Sequence, residues 1–299
     1  MLFVSSDGLP VAVEEKRGAN AEARRKSVGQ AIDRLFVRAH ILGVCIILMM
    51  ATIFQRILGR ARRMAQGRIR HHRLYLSYVS GKRGLEIGGP SAVFRSRQPV
   101  DLYDHLGALD NCDFARSTVW AEQQDSYVFA KGKPAGCSIF CDGSALAPVA
   151  DGAYDFILSS HNLEHFANPV KALMEWKRVL GPSGALILVL PYYKNTFDHR
   201  REPTSVDHMF SDYEHGVGED DLTHLPEILE KHDLSKDPGV TDVESFRIRS
   251  LKNIENRCLH HHVFDEHNSR ELIERAGFAV HSVDRAFPFH LCLLATKVS

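Results

Sequence analysis

The chain has 299 residues, of which 44% are hydrophobic, enough to bury one large α/β core and an appendage. Its formal net charge is zero, but residues 1–80 hold 14 Lys and Arg against 5 Asp and Glu, whereas residues 81–299 hold 23 against 32. The larger part is mildly acidic, which argues against nucleic acid as its partner. Six cysteines without a CxxC pair argue against a disulfide framework and predict a reduced, cytoplasmic chain.

The N-terminal residues form two predicted segments. Residues 1–34 are predicted to be a disordered basic lead. Residues 35–75 are first apolar and then rich in arginine, and Ile41–Phe54 holds 14 residues without a charge. That run is about 21 Å long as a helix, whereas a bilayer core of about 30 Å needs roughly 20 residues. We expect either a membrane-associated anchor, with arginines at anionic head groups, or a helix packed on protein.

The first strand of the remaining domain, residues 76–299, is predicted around Glu86 and is followed by Gly88 and Gly89. A glycine turn at the carboxyl end of a strand lets main-chain N–H groups face a carboxylate or phosphate. The next predicted strand, Pro99–Tyr103, ends at Asp104, eighteen residues after Glu86. An acid at about this spacing is placed to hold ribose hydroxyls in dinucleotide-type folds, and Asp101 is a competing candidate.

The stretch Cys141–Pro191 predicts a strand, a helix and a strand. A third short strand, Ser138–Phe140, leads into Asp142, and Tyr154–Leu158 is the fourth. Asn168-Pro169 opens a helix and the apolar run Ala185–Leu190 forms the fifth strand. Ligands in such sheets bind at the carboxyl ends of the strands. The polar residues that follow the fourth strand are Ser159, Ser160, His161 and Glu164.

The segment from Tyr192 to His267, here called the insertion, separates the fifth strand from the next strand signal at Phe278. It holds nine of the 17 histidines of the chain, with acids interleaved. An insertion at this edge of a sheet is expected to act as a lid that recognises the substrate. Histidine and carboxylate also suit zinc, iron or manganese, but the insertion contains no HxxxH or HExxH spacing, so we expect no metal. The predicted substrate residues are Asp198, His199, Arg200, His224 and His262.

The order LEIGGPS, VDLYD, CDGSAL and YDFILSSHNLEHFANPVKALMEWKRVLGPSGALILVLP resembles the class I S-adenosylmethionine-dependent methyltransferases, in particular their type 11 group. The resemblance covers about residues 84–191 and extends more loosely to the C-terminus. It implies a doubly wound, mostly parallel seven-stranded α/β sheet of the Rossmann-like methyltransferase type. The insertion follows the fifth strand of this sheet, and an N-terminal helical extension precedes it.

The resemblance also implies a cofactor, S-adenosyl-L-methionine, and residues that hold it. Those at its methionine end would be Glu86, Gly88 and Gly89. Asp104 would take the ribose hydroxyls. Those that flank the adenine would be Asp142, Ala145 and Leu146, and those near the sulfonium would be Ser160 and His161.

Methyl transfer to a hydroxyl benefits from a base of near-neutral pKa, for which histidine is suited, and we predict His161 and His199 as catalytic. The expected reaction is methyl transfer to a small-molecule or glycan acceptor, with hydroxyl, amine and carboxyl groups all open. The alternative is a non-catalytic binding or scaffold module of the same fold. Its support is Pro90, which replaces the second glycine of the family's first motif and lacks an N–H donor.

Overall fold

The computed structural model describes residues 67–120, 122–237 and 239–298. The predicted segment 1–34 and residues 35–66 of the predicted anchor, which include Ile41–Phe54, lie outside the described residues. Within the described part of the chain, no helix is long and apolar enough to cross a membrane.

One eight-stranded sheet organises the described residues. Its strands are β1 (Arg83–Ile87), β2 (Ala108–Asp113), β3 (Ser126–Tyr127), β4 (Gly136–Phe140), β5 (Tyr154–Ser160), β6 (Leu180–Pro191), β7 (Phe278–Ala286) and β8 (His290–Lys297). They lie in the order β3-β4-β2-β1-β5-β6-β8-β7. Strands β4, β2, β1, β5 and β6 run parallel, whereas β8 is antiparallel to β6 and β7. The α/β class and the doubly wound, mostly parallel sheet are confirmed. The eighth strand is the short edge strand β3, antiparallel to β4.

Seven α-helices accompany this sheet in the described residues. They are α1 (His72–Val79), α2 (Pro169–Val179), α3 (Val206–Glu214), α4 (Leu225–Lys231), α5 (Val243–Leu251), α6 (Asn253–Asn256) and α7 (Glu266–Arg275). The insertion carries α3 to α6 and the start of α7. Between β1 and β5 the described chain joins strands β2, β3 and β4 through loops and short 3-10 turns, without an α-helix.

The predicted strand Pro99–Tyr103 is wrong. Tyr103–His105 is a 3-10 turn, and the strand beside β1 is β2. The apolar side chains Val100 and Leu102 are buried, but they pack in a hydrophobic core on one face of the sheet instead of pairing with a strand. β2 itself contains two acids and an asparagine, residue types that are depleted in strands, so its sequence gives a weak strand signal.

Strand β6 shows why the centre of the sheet is stable. Leu186, Leu188 and Leu190 belong to the hydrophobic core on one face, and Ala185 and Ile187 belong to the core on the other. Alternation with a period of two places successive side chains on opposite faces, so a strand apolar at every position is covered on both sides.

Helix α2 connects β5 to β6 and packs into the first of these cores. The side chain of Asn168 accepts a hydrogen bond from the backbone N–H of Lys171 and caps the helix, and Pro169 occupies its first position. Trp176 is fully buried, and its indole N–H donates to the carbonyl of Gly143, 2.9 Å away, just beyond β4. This contact fixes the loop after β4 against the helix.

Candidate active site

The carboxyl ends of the parallel strands form one edge of the sheet, and some of the polar residues predicted from the sequence, Asp142 and His161 among them, follow strands that end there. Asn162, after β5, donates to the carbonyl of Ile87 at the end of β1, 3.0 Å away. Gly88 donates its backbone N–H to the carbonyl of Cys112 in β2, 2.9 Å away. The ends of β1, β2 and β5 are therefore tied together directly.

Glu86 is fully buried, and its carboxylate is hydrogen-bonded within the protein. Tyr127 donates its hydroxyl at 2.6 Å, Tyr103 donates at 2.8 and 2.9 Å, and the backbone N–H of Ser91 donates at 3.0 Å. Burial raises the pKa of Glu86, while these hydrogen bonds oppose the rise. Glu86 therefore holds the loop after β1 in place, and its carboxylate is not free for a ligand.

Gly88 and Gly89 each need to be glycine for a different reason. Gly88 has φ of +75°, in the left-handed region, and a Cβ there would lie 2.3 Å from the side-chain amide of Asn162. A Cβ on Gly89 would lie 2.2 Å from the Tyr127 hydroxyl and 2.5 Å from the Glu86 carboxyl carbon. The glycine turn thus keeps its backbone close to neighbouring polar groups, as a turn that approaches a ligand must.

Asp113, at the end of β2, is the acid that the strand order places beside the glycine turn. Its Oδ1 accepts from the backbone N–H of Phe114, and its Oδ2 accepts from the amide of Gln123, 3.2 Å away. The same amide donates to the carbonyl of Gly89 at 2.9 Å, so Gln123 bridges the turn and the acid. Asp104 is exposed in a 3-10 turn and Asp101 is bound to Arg68, so neither of the predicted acids ends a strand.

Asp142 follows β4 and is held by two sets of contacts. Its Oδ1 accepts from the backbone and hydroxyl of Ser144, both at 2.8 Å, and its Oδ2 lies 3.2 Å from Arg257 of the insertion. Burial would raise the pKa of Asp142, but these contacts outweigh it and lower the pKa. Ala145 is exposed beside it, whereas Leu146 is buried in the core and points away from a ligand.

The residues after β5 form a polar group that we call the strand-end cluster. It consists of His161, Glu164, His165 and His260. Ser160 ends β5, and His161 follows it with φ of +51°, an uncommon backbone conformation for a residue other than glycine. The Nε2 of His161 lies 2.7 Å from Nδ1 of His290, and its Nδ1 lies 3.7 Å from Oε1 of Glu164.

Burial controls the protonation of this cluster. Glu164 is fully buried, neither of its carboxyl oxygens has a hydrogen-bond partner among the described residues, and burial raises its pKa to about 7. Burial, and then the neighbouring His290 and His260, lower the pKa of His161 well below 6.5. His161 is therefore neutral at neutral pH, whereas Glu164 changes its protonation state close to neutral pH.

The insertion covers the strand-end cluster. The backbone N–H of His261 donates to the carbonyl of Glu164 at 2.9 Å, and Nδ1 of His260 lies 2.6 Å from Oδ2 of Asp198. Arg201, 1% exposed, donates to Asp198 and to the carbonyls of His260 and His261. Arg201 was missed by the sequence reasoning, and the only signal for it was its place two residues after His199.

The predicted substrate residues lie in different places. Asp198 is buried against Arg201 and His260. His199 and Arg200 lie near Asp233, at 3.4 and 3.7 Å, and His199 also contacts Lys236. These partners all belong to the insertion, so the structure does not bring His199 to the strand-end cluster. His224 and His262 lie together in a separate group, beside α3.

The residues at the carboxyl ends of the parallel strands are arranged in a way that suits a cofactor containing a nucleoside. The fit depends on the glycine turn, in which φ of +75° at Gly88 excludes a side chain, and on Asp113 and Asp142, which end adjacent strands. Both acids retain partial exposure, and each already accepts hydrogen bonds of the kind that ligand hydroxyl or amino groups would donate. The Glu86 carboxylate is the exception, because its protein donors already occupy it.

Comparisons with known proteins found a matching family model and similar solved structures. Residues 108–188 match the family model described as a methyltransferase domain. No curated protein matches the chain. Solved structures that are similar include an S-adenosylmethionine-dependent methyltransferase from Mesorhizobium loti, with 14% identity, 76% of this chain and 95% of that chain covered, and a TM-score of 0.42.

Two further solved structures resemble the chain to a similar extent. One is a SAM-dependent methyltransferase from Methanosarcina mazei, with 15% identity, 75% and 97% coverage and a TM-score of 0.41. The other is an arsenic(III) S-adenosylmethionine methyltransferase from Chlamydomonas reinhardtii, with 13% identity, 74% and 65% coverage and a TM-score of 0.40. The functional conclusion below depends on the family match and on the strand order, not on these likenesses.

Proposed function

We propose that this chain, whose residues 108–188 match the family model of a methyltransferase domain, is a class I S-adenosylmethionine-dependent methyltransferase that methylates a hydroxyl or amine of a small-molecule or glycan acceptor. The observation that carries the proposal is Glu164, a buried carboxyl group without a hydrogen-bond partner among the described residues and with a pKa of about 7. A group that titrates near neutral pH suits proton removal from an acceptor. A carboxylate acceptor is already ionised and needs no such group.

The cofactor, when bound, supplies the methyl group on its sulfonium. Asp113 would hold its ribose and Asp142 its adenine, while the turn at Gly88 and Gly89 would hold its methionine end. Asp113 takes the place in this proposal that the sequence analysis gave to Asp104, because Asp113 ends the strand beside β1.

His161 and Glu164 act together on the acceptor in this proposal. His161 is partly exposed, with 27% of its side chain accessible, and Glu164 lies behind it. Nε2 of His161 exchanges its contact with Nδ1 of His290 for the acceptor and takes the acceptor's proton, and the Nδ1–H of the resulting imidazolium faces Glu164. The ionised carboxylate stabilises that cation, as the aspartate does in a Ser-His-Asp triad. The left-handed backbone of His161 supports this role, since such strain tends to occur at functional sites.

Asp113 provides the test of the cofactor site. Calorimetry of the full chain with S-adenosylhomocysteine should give saturable binding. Asp113→Ala should weaken that binding about 10- to 100-fold, because a hydrogen bond to a charged group contributes about 1.5–3 kcal/mol. Asp104→Ala is the matched control and should leave the affinity unchanged. Absence of binding by the folded chain would favour the non-catalytic module, and a selective loss in Asp104→Ala would refute the assignment of Asp113.

Glu164 provides the test of the chemistry. The full chain is incubated with cofactor carrying a labelled methyl group and a panel of phenols, sugars, amines and carboxylates. Transfer to a hydroxyl or amine should become faster as pH rises through about 7, because Glu164 must be ionised to stabilise protonated His161. Glu164→Gln should lower the rate about 100-fold and remove that pH dependence, with cofactor binding unchanged. Transfer only to carboxylates, or an unaltered pH profile in the variant, would contradict the proposal.

A further inference from the structure

A second group of histidines lies within the insertion, apart from the residues that the proposed reaction uses. We call it the insertion cluster, and its members are His208, Asp212, His224 and His262. His208 and Asp212 are four residues apart on α3 and so share one face of that helix. His224 immediately precedes α4, and His262 lies in the segment before α7. Three separate parts of the insertion thus meet at these four side chains.

The distances within the insertion cluster match those of a tetrahedral metal site. Nε2 of His208 lies 3.1 Å from Nε2 of His224 and 3.5 Å from Oδ2 of Asp212, and one ligand atom from each of the four residues lies within 4.8 Å of the others. Ligand atoms about 2.1 Å from a tetrahedral Zn²⁺ lie about 3.4 Å from one another. The two shortest distances bracket that value.

Buried polar atoms without partners in the insertion cluster also indicate a cation-binding site. Oδ2 of Asp212 is buried and, among the described residues, has no hydrogen-bond partner. His262 has no exposed side-chain surface, and its Nε2 lies 3.3 Å from the carbonyl of Ala167, so the lone pair available to a metal is on Nδ1, which has no partner in the described chain. Buried polar atoms are nearly always satisfied in native proteins, so two such atoms in one group require an explanation. A bound cation would be coordinated by the carboxylate of Asp212 and by the lone pairs of the imidazole nitrogens.

We propose that the insertion cluster binds one Zn²⁺ ion or a divalent transition metal of the same coordination preference. Three imidazoles and one carboxylate are the ligand types that zinc takes, whereas Ca²⁺ and Mg²⁺ prefer oxygen ligands alone. Four protein ligands fill a tetrahedral shell, which is typical of a structural site. The metal joins α3, the start of α4 and the segment that holds His260 over Glu164. It therefore fixes the part of the insertion that covers the strand-end cluster.

The second His and carboxylate group of the described residues is a weaker metal candidate. It consists of Glu164, His165 and His260 and offers three ligands instead of four. His260 is already paired with Asp198 at 2.6 Å, and Nδ1 of His165 lies 3.1 Å from the carbonyl of Leu259. Metal binding there would leave one ligand position open and would remove Glu164 from proton chemistry, so this group serves as the control.

The test measures metal binding by the purified full chain after treatment with a chelator. Zn²⁺ titrated in competition with a chromophoric chelator should bind at one equivalent, and Co²⁺ should give the intense visible bands of four-coordinate cobalt. His208→Ala and Asp212→Asn should each weaken zinc binding about 100-fold or more, at least as much as the loss of an outer-shell partner. The matched control is His215→Ala, an exposed histidine at the end of the same helix, which should bind zinc as the wild type does.

Thermal melting separates loss of the site from loss of the fold. Zn²⁺ should raise the Tm of the wild type and of His215→Ala, whereas the metal-free His208→Ala variant should melt near the metal-free wild type and show no increase. The proposal is wrong if the folded wild type binds no stoichiometric zinc, or if His208→Ala binds it equally well. It is also wrong if Glu164→Gln abolishes the binding, since the metal would then lie in the strand-end cluster. Because these measurements involve no methyl transfer, their outcome is independent of the proposed reaction.

Discussion

The strand-end cluster and the insertion cluster contain the same residue types but differ in how those residues are partnered. In the strand-end cluster, Nε2 of His161 faces the Nδ1 of His290 at 2.7 Å, a normal hydrogen bond, and Glu164 is enclosed without a partner among the described residues. In the insertion cluster, Nε2 of His208 faces Nε2 of His224 at 3.1 Å, with the Asp212 carboxylate 3.5 Å away. The strand-end cluster is suited to proton transfer between side chains, and the insertion cluster is suited to a cation coordinated by several lone pairs.

Burial explains the difference in chemistry. Glu164 is fully buried, and burial raises its pKa to about 7, within the range where an enzyme exchanges protons. In the insertion cluster, burial raises the pKa of Asp212 and lowers that of His224. A metal ion binds the neutral imidazole and the ionised carboxylate, so it would favour the neutral form of His224 and oppose the raised pKa of Asp212. Similar residues thus carry different functions because their surroundings differ.

Arg201 links the two clusters, and its removal should have the largest effect. Its guanidinium pairs with Asp198 at 3.1 Å and donates to the carbonyls of His260 and His261, two residues and one residue before His262. Arg201→Leu should lower the free energy of unfolding by about 3–5 kcal/mol, because it breaks a buried ion pair and leaves Asp198 with His260 as its remaining partner. Urea denaturation measures the change, and Arg200→Leu, more than half exposed, is the matched control with an expected change below about 0.5 kcal/mol.

The position of Arg201 between the two clusters also predicts that Arg201→Leu loses both functions. If Arg201 holds the 260–262 segment for both clusters, the folded fraction of Arg201→Leu at low temperature should lose zinc binding and methyl transfer together. Retention of one activity with loss of the other would show that the clusters are held independently.

The sequence predicted most of the fold because its strongest signals lie where the sheet is buried. The apolar run Ala185–Leu190 and the capped helix beginning at Pro169 are unambiguous patterns, and both elements are present. Strand β2 was missed since its residues include Asp110, Asn111 and Asp113, which are polar yet paired. Asp110 accepts from the side chain of Arg83 and Asn111 accepts from the backbone N–H of Gly89, and no local pattern reveals such tertiary partners.

The candidate site was predictable at the level of strand ends but not of individual contacts. Asp142 and His161 lie at the expected edge, because the carboxyl ends of parallel strands must meet there. The contacts within the insertion were not predictable, since they are long-range: His208 meets His224 across sixteen positions, and Asp212 meets His262 across fifty. Spacing rules such as HxxxH detect ligands only when one helix carries them.

The smallest expected effects come from removing one histidine at each cluster: His290, which contacts His161 of the strand-end cluster, and His208 of the insertion cluster. In metal-free protein, His290→Ala should lower the free energy of unfolding by about 1 kcal/mol, because it removes a hydrogen bond and leaves Nε2 of the partly buried His161 without this partner. His208→Ala, whose side chain is 43% exposed, should change it by less than about 0.5 kcal/mol, since its contacts matter only around a metal. Denaturant unfolding with chelator present measures both. An equal loss in the two variants would mean that the 3.1 Å contact between His208 and His224 is an ordinary stabilising hydrogen bond, and the distinction between a proton site and a metal site would fail.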